Sequence, residues 1–319
     1  LLVQKQQESE RACNEERNAM ADPLFLLAPH RSFTSVICAM LGQHPQMYGL
    51  PEVNLFTART VGEWWVENRG GRGLGGHGLL RAVSQIFYEE QTERTIELAR
   101  RDIRRSLHSR TGEFFHELAE RVSPRLLVDK SPATVYRNEY LSRLHRVFPR
   151  ARLIHLLRHP RSFGESIYAM PFGKLWIAQQ DAFDYSTRPP TLDPQITWHA
   201  VHASIRAFLS TLPDEQQMTL RGEDLLTDPD TYLSRIAGWL GLRTDKEAIA
   251  EMKHPERSPF ACVGPRNAPL GNDPSFLEKP ALRPGRAHSQ SLEGPLSWRP
   301  DGAAFSPGVK ELAMSFGYR

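Results

Sequence analysis

Cysteine is scarce in this chain: 319 residues hold three, Cys13, Cys38 and Cys262. Their wide spacing excludes a disulfide framework and a paired-cysteine zinc motif. It favours a reducing, cytoplasmic setting. Charge of one sign is also lacking, since 40 Lys and Arg against 37 Asp and Glu leave a formal +3. That balance is too mild for a nucleic-acid binder, and no basic-aromatic repeat compensates for it. It is compatible with an anionic ligand. No apolar run approaches the ~20 residues of a membrane span, and no secretory signal is visible. The G-x-x-x-x-G-K-[ST] signature of P-loop nucleotidases is absent. Gly71 to Gly76 satisfies G-x-G-x-x-G, but Glu63-Trp64-Trp65-Val66-Glu67-Asn68 precedes it instead of a strand, so a flexible glycine loop is expected there, with His77 as a loop histidine. His199 and His202 share a helix face at i, i+3 without a third or fourth ligand, so no metal is expected.

What is present is alternation. Apolar stretches at Leu24–Leu27, Leu126–Val128, Arg152–Leu157 and Met218–Arg221 read as strands. Between them lie helical patterns: residues 57–123, Tyr136 to Val147, from about Arg161, Trp198 to Leu209, and Pro229 to Leu240. Strands alternating with helices predict a three-layer α/β fold around a central parallel sheet. Ligands in such folds sit beyond the C-terminal strand ends. Residues 1–20 are polar and charged and read as an N-terminal extension or linker; residues 21–319 read as a single domain. The chain opens on Leu1 and not on methionine, so a trimmed chain or a domain of a larger polypeptide is expected. Residues 254–300 are irregular and rich in proline and glycine.

Two strand ends carry the chemistry. After Leu24-Phe25-Leu26-Leu27 the chain reads Ala28-Pro29-His30-Arg31-Ser32-Phe33-Thr34-Ser35 and then turns helical. A strand, a tight turn and a helix N-terminus aim backbone N–H groups at one spot, which suits a phosphate. Ser32, Thr34 and Ser35 add hydroxyl donors and Arg31 adds charge. The second strand repeats the plan through Arg158-His159-Pro160 and a helix carrying Ser166, with Arg158 and Ser166 expected to fold onto one anion. Two such sites predict a ligand with two separated phosphates.

These stretches resemble the sulfotransferases that use 3′-phosphoadenosine 5′-phosphosulfate (PAPS). His30 to Ser35 is similar to their first motif, roughly Pro-Arg-Ser-Gly-Thr-Thr, which holds the 5′-phosphosulfate. Arg158, Pro160 and Ser166 match the second, roughly Arg-Asn-Pro-x-x-x-x-x-Ser, which holds the 3′-phosphate. Arg221 to Pro229, Ile236 to Leu242 and the closing Phe316-Gly317-Tyr318 resemble further family signatures. The resemblance spans about residues 22–242 and the C-terminus. Two departures stand out: Phe33 replaces the usual loop glycine, and His30 stands where proline is usual.

The resemblance implies a P-loop-kinase-like sulfotransferase fold and sulfonate transfer from PAPS to an acceptor hydroxyl, releasing 3′,5′-bisphosphoadenosine (PAP), without a metal. It implies that His30, Arg31, Ser32, Phe33, Thr34, Ser35, Arg158 and Ser166 bind the nucleotide. Lys130, in Asp129-Lys130-Ser131-Pro132, is similar to the family lysine near the transferred sulfonate. Arg31, Leu41-Gly42-Gln43-His44-Pro45 and Glu52 reproduce the spacing of the branch typified by tyrosylprotein sulfotransferases, which implies Glu52 as catalytic base; His199 and His202 stay open as alternatives. Residues 254–300 are expected to cover the nucleotide and line the acceptor site, and Met170, Phe172, Trp176 and Phe183 hint at an apolar or aromatic acceptor. The acceptor is expected to be a small-molecule or carrier-tethered hydroxyl, with no nucleic-acid partner and the oligomeric state left open. The other readings are a P-loop-like Mg-ATP kinase and a non-catalytic nucleotide-binding or carrier-docking module.

Overall fold

The structure is a computed structural model that describes residues 22–282 and 290–319. The expected extension at 1–20, and residues 283–289 of the irregular segment, lie outside the described residues. Strands are β1 (Leu24–Leu27), β2 (Met47–Gly49), β3 (Leu126–Asp129), β4 (Arg152–Leu157), β5 (Phe183–Asp184), β6 (Thr191–Leu192) and β7 (Gln217–Arg221). Helices are α1 (Thr34–Leu41), α2 (Val61–Glu67), α3 (His77–Tyr88), α4 (Glu93–Arg105), α5 (Thr111–Val122), α6 (Asn138–Val147), α7 (Pro160–Tyr168), α8 (Gly173–Gln179), α9 (Pro194–Leu209), α10 (Gly222–Thr227), α11 (Pro229–Trp239), α12 (Lys246–Glu251), α13 (Pro274–Glu278) and α14 (Pro307–Ser315).

The main sheet runs in the order β2-β3-β1-β4-β7, and every pairing is parallel. The central β1 is apolar at all four positions because both its faces are covered. Successive side chains alternate between faces. Phe25 and Leu27 enter the core under α2 to α6, with Phe56, Phe115 and Phe148 against the Phe25 ring. Leu24 and Leu26 enter the opposite core with Ile37 and Met40 of α1 and Leu233 and Ile236 of α11. This is the expected three-layer α/β fold. A third cluster joins α7 and α9 to Leu296, Trp298 and α14.

Helix boundaries moved where capping chemistry decided them. The helix read from Trp198 starts at Pro194, because Asp193 accepts from Gln195 N and Pro194 takes the first helical position. The helix read from Tyr136 starts at Asn138, after a 3₁₀ turn at Pro132–Tyr136 and an extended Arg137. The β5–β6 hairpin went unread, since each strand has two residues.

Candidate active site

The parallel sheet brings the C-terminal ends of β1, β3 and β4 to one rim. Beyond β1, Arg31 and Phe33 both adopt left-handed backbone, with φ of 67° and 62°. For residues bearing a Cβ this costs free energy. The turn delivers the chain into α1, whose cap position offers no side-chain acceptor. The first-turn N–H groups of a helix have no intrahelical partner, so this end is suited to an anion. Ser32 Oγ lies buried beside it without a partner among the described residues.

Arg31 ties the two strand ends together. Its Nε donates to Ser166 Oγ at 2.9 Å and its Nη2 to Ser275 Oγ at 3.4 Å. Its Nη1 pairs with Asp273. Arg158, just beyond β4, donates from Nη1 to the Arg31 carbonyl. The Ser166 hydroxyl thus meets Arg31 in this structure, and the two anion sites of the sequence reading share one arginine. Trp198 Nε1 donates to the Arg158 carbonyl at 2.8 Å. Burial, and then the charge of Arg31, push Arg158 down to about 10, so it stays a cation at neutral pH.

Lys130, just past the end of β3, the strand beside β1, has a fully buried side chain. Its Nζ donates to Ser35 Oγ at 2.8 Å and to Glu52 Oε1 at 2.7 Å. Glu52 keeps 20 % side-chain exposure and donates its backbone N–H to the Gly271 carbonyl at 2.8 Å. Ser35 Oγ also accepts from Asp273 N at 3.1 Å. The segment 271–275 therefore lies across the turn after β1.

Arg31, Ser35, Glu52 and Asp273 line a cleft of about 370 Å³ with His30 and Thr34, and Leu74, Met170, Trp176 and Leu270 form its apolar wall; Lys130, Arg158 and Ser166 lie behind this lining. His30 is held by Tyr136, whose hydroxyl meets its backbone N at 3.1 Å and its Nδ1 at 3.0 Å. Trp176 stands edge-on to the imidazole at 5.5 Å. Burial lowers the His30 pKa, while the surrounding charges oppose one another: Glu52 and Asp273 raise it, Lys130 and Arg31 lower it.

Other residues named from sequence fall elsewhere. His202 is buried and joins His155 through Nδ1 and Nε2 at 2.8 Å, while His199 faces Gly308. Neither lines the cleft, so neither is placed to act as base there. Phe172 is 82 % exposed and Phe183 lies in the β5–β6 hairpin, which leaves Met170 and Trp176 of the four acceptor candidates on the cleft wall. Asp129 bonds Ser131 Oγ at 2.9 Å, and burial raises it to about 6. His77 is not a loop residue: it opens α3 and is buried. His44 accepts from Gln46 N and meets the Arg243 carbonyl, shaping the turn that leads to Glu52.

Sequence reasoning missed Asn54, Tyr136 and Asp273. Asn54 has φ 52°, and its Nδ2 reaches the Gly75 carbonyl at 3.2 Å, closing the cleft wall. Its tolerance of left-handed backbone was the available signal. Asp273 precedes Pro274 and caps α13, a helix-start signature that carried no hint of Arg31.

The frame and the rim define an α/β protein that gathers cationic and hydroxyl side chains at the C-terminal ends of its parallel strands. The model of the Sulfotransferase family matches residues 23–246, and the chain belongs to that family. It is accordingly an enzyme of sulfonate transfer. The chain is similar to the sulfotransferase domain from the curacin biosynthetic pathway, with a TM-score of 0.75 at 22 % identity, covering 94 % of this chain and 99 % of that one. It is also similar to the sulfotransferase domain from the Synechococcus PCC 7002 olefin synthase, with a TM-score of 0.70 at 25 % identity, covering 93 % and 94 %. No curated protein matches. Among the described residues there is no metal-binding group of His, Cys, Asp and Glu, and no helix long and apolar enough to cross a membrane.

Proposed function

We propose that the protein transfers the sulfonate of PAPS to an acceptor hydroxyl and releases PAP. The observation that carries this reading is the buried Lys130 ammonium held between Ser35 Oγ and Glu52 Oε1, two residues that line the cleft together with Arg31. An anionic nucleotide fits the groups left without partners. The α1 N-terminus has no side-chain cap, and Ser32 Oγ and Arg158 Nε are buried without a partner among the described residues. Residues 30–35 would hold the 5′-phosphosulfate. Arg158 and Ser166 would hold the 3′-phosphate, the group that separates PAPS from ATP.

Glu52 accepts the proton of the acceptor hydroxyl as that oxygen bonds to sulfur. The bond from sulfur to the bridging oxygen breaks, and its electron pair leaves with the 5′-phosphate. Protonation of Glu52 removes the charge that Lys130 is paired with. The ammonium then serves the departing oxygen, with Arg31 beside it. In this reading the two side chains supply the charge that magnesium supplies in kinases. In this reading the described residues act as one catalytic domain, with the segment 271–275 lying over the nucleotide and acceptor site. Met170 and Trp176 favour an acceptor with apolar surroundings. Similar domains come from the curacin pathway and an olefin synthase, which supports a small-molecule or carrier-tethered hydroxyl.

Turnover of PAPS with a panel of hydroxylated acceptors, followed by product mass, tests the reading. Activity is expected to survive EDTA. Loss in EDTA that magnesium restores, with ATP consumed in place of PAPS, would establish the kinase reading instead. Glu52→Gln should lower turnover by ~10²–10⁴-fold and leave PAP binding intact. A drop of no more than a few-fold would put the base elsewhere.

A further inference from the structure

Phe33 sits at φ 62° and ψ 7°, a conformation that glycine or asparagine adopts at lower cost. The phenyl ring therefore needs a compensating contact. Two are present. The Arg158 guanidinium lies over the ring, its Cζ 4.6 Å from the centroid. On another side, a Cβ at Gly222 would come within 2.4 Å of Phe33 Cδ2, so the ring occupies space that only glycine at the start of α10 leaves open.

Arg158 needs such a support. Its Nη1 is taken by the Arg31 carbonyl, and its Nε is buried with no partner among the described residues. No carboxylate within ion-pair distance holds it among those residues, so the ring face is what fixes the guanidinium plane. A desolvated cation over an aromatic face is a stronger contact than an exposed one.

We infer that Phe33 is a positioning residue: its ring, given room by Gly222, holds Arg158 in the orientation that receives the 3′-phosphate of the nucleotide. The inference rests on the reading of Arg158 as the 3′-phosphate ligand. Phe33 does not touch the reacting atoms; it acts through Arg158. The position that departs from the glycine of the resembling motif is thus coupled to specificity for the doubly phosphorylated nucleotide.

Calorimetry with PAP and AMP on the whole chain tests this. Phe33→Gly and Phe33→Asn keep the left-handed backbone accessible and remove the ring. Both should lower the ratio of PAP to AMP affinity by about tenfold, the size of a partly desolvated cation–π contact, since any change in the 5′-phosphate loop itself affects the two nucleotides alike. Phe33→Tyr, which keeps the ring, should bind PAP as the unmodified protein does. Gly222→Ala should weaken PAP when Phe33 is present and have no further effect in Phe33→Gly, because the clash needs the ring. A preference for PAP that persists in both ringless variants, with melting temperatures unchanged, overturns this inference alone. Additive effects of Gly222→Ala and Phe33→Gly overturn it too. Equal affinities for PAP and AMP in the unmodified protein overturn the reading of Arg158 and this inference with it.

Discussion

After β1 the chain turns through two left-handed residues, Arg31 and Phe33, and enters α1 with no side chain capping its first turn. After β4 it turns through His159, whose Nδ1 accepts from Arg161 N at 3.1 Å, and enters α7 with Pro160 in the first helical position. Both turns follow a strand, end in a helix and carry an arginine. In the first, the backbone N–H groups of the helix are left for a ligand. In the second, the histidine satisfies one of those donors and the proline removes another, so an anion there would rely more on side chains such as Arg158 and Ser166. In the proposed reading, one local plan thus yields a backbone-type and a side-chain-type anion site, and their capping chemistry separates them.

Acid should break the comparison most visibly. Burial holds His155, behind the second turn, at about 3 against an ordinary 6.5, and lowers its partner His202 as well. Below about pH 6.5 the unfolded chain binds a proton that folded His155 does not, so stability falls from there towards pH 3. Asp129, beside the first turn, runs the other way. It is raised to about 6 from an ordinary 3.8, so its contribution is present below 3.8 and lost as pH rises to about 6. Melting temperature against pH should therefore fall less steeply in acid for His155→Leu and more steeply for Asp129→Asn. Identical pH profiles for both variants would remove the assigned asymmetry.

Arg158→Ala sharpens the distinction in binding. A hydrogen bond to a charged group is worth ~1.5–3 kcal/mol. Affinity for PAP should therefore drop roughly 10- to 100-fold while AMP, lacking the 3′-phosphate, is unaffected. A parallel loss for both nucleotides would mean that Arg158 serves the first site through the Arg31 carbonyl and not a second phosphate.

The smallest effect is expected at His159. Replacing an N-cap acceptor by alanine costs ~1 kcal/mol. His159→Ala should lower the melting temperature by a few degrees without changing PAP affinity. A rise in PAP affinity, as freed α7 amides found the ligand, would show that capping is what keeps the two turns chemically distinct.

The strands that build the sheet were readable because Leu24–Leu27 is an uninterrupted apolar run and Arg152–Leu157 is apolar but for Arg152 and His155, each closed by a proline, and because helical spacing fills the gaps between them. Short elements were not: two-residue strands and the five-residue α13 carry too few side chains to show a period. Glu52 and Lys130 could be named from the family resemblance but not joined, for 78 residues separate them.

By itself, the order of residues determined the layered parallel sheet, the strand ends at which a ligand would sit, and the residue types gathered there, since periodicity and punctuation are local properties. Tertiary structure alone decided that β3 lies beside β1, which brings Lys130 to Ser35 and Glu52. It also decided that Arg31 reaches Ser166 and Asp273, that His202 pairs inside the core with His155, and that Phe33 lies beneath Arg158. Each of these contacts joins segments distant in the chain. Their geometry is set by strand order and by which side chains find room, neither of which local sequence encodes.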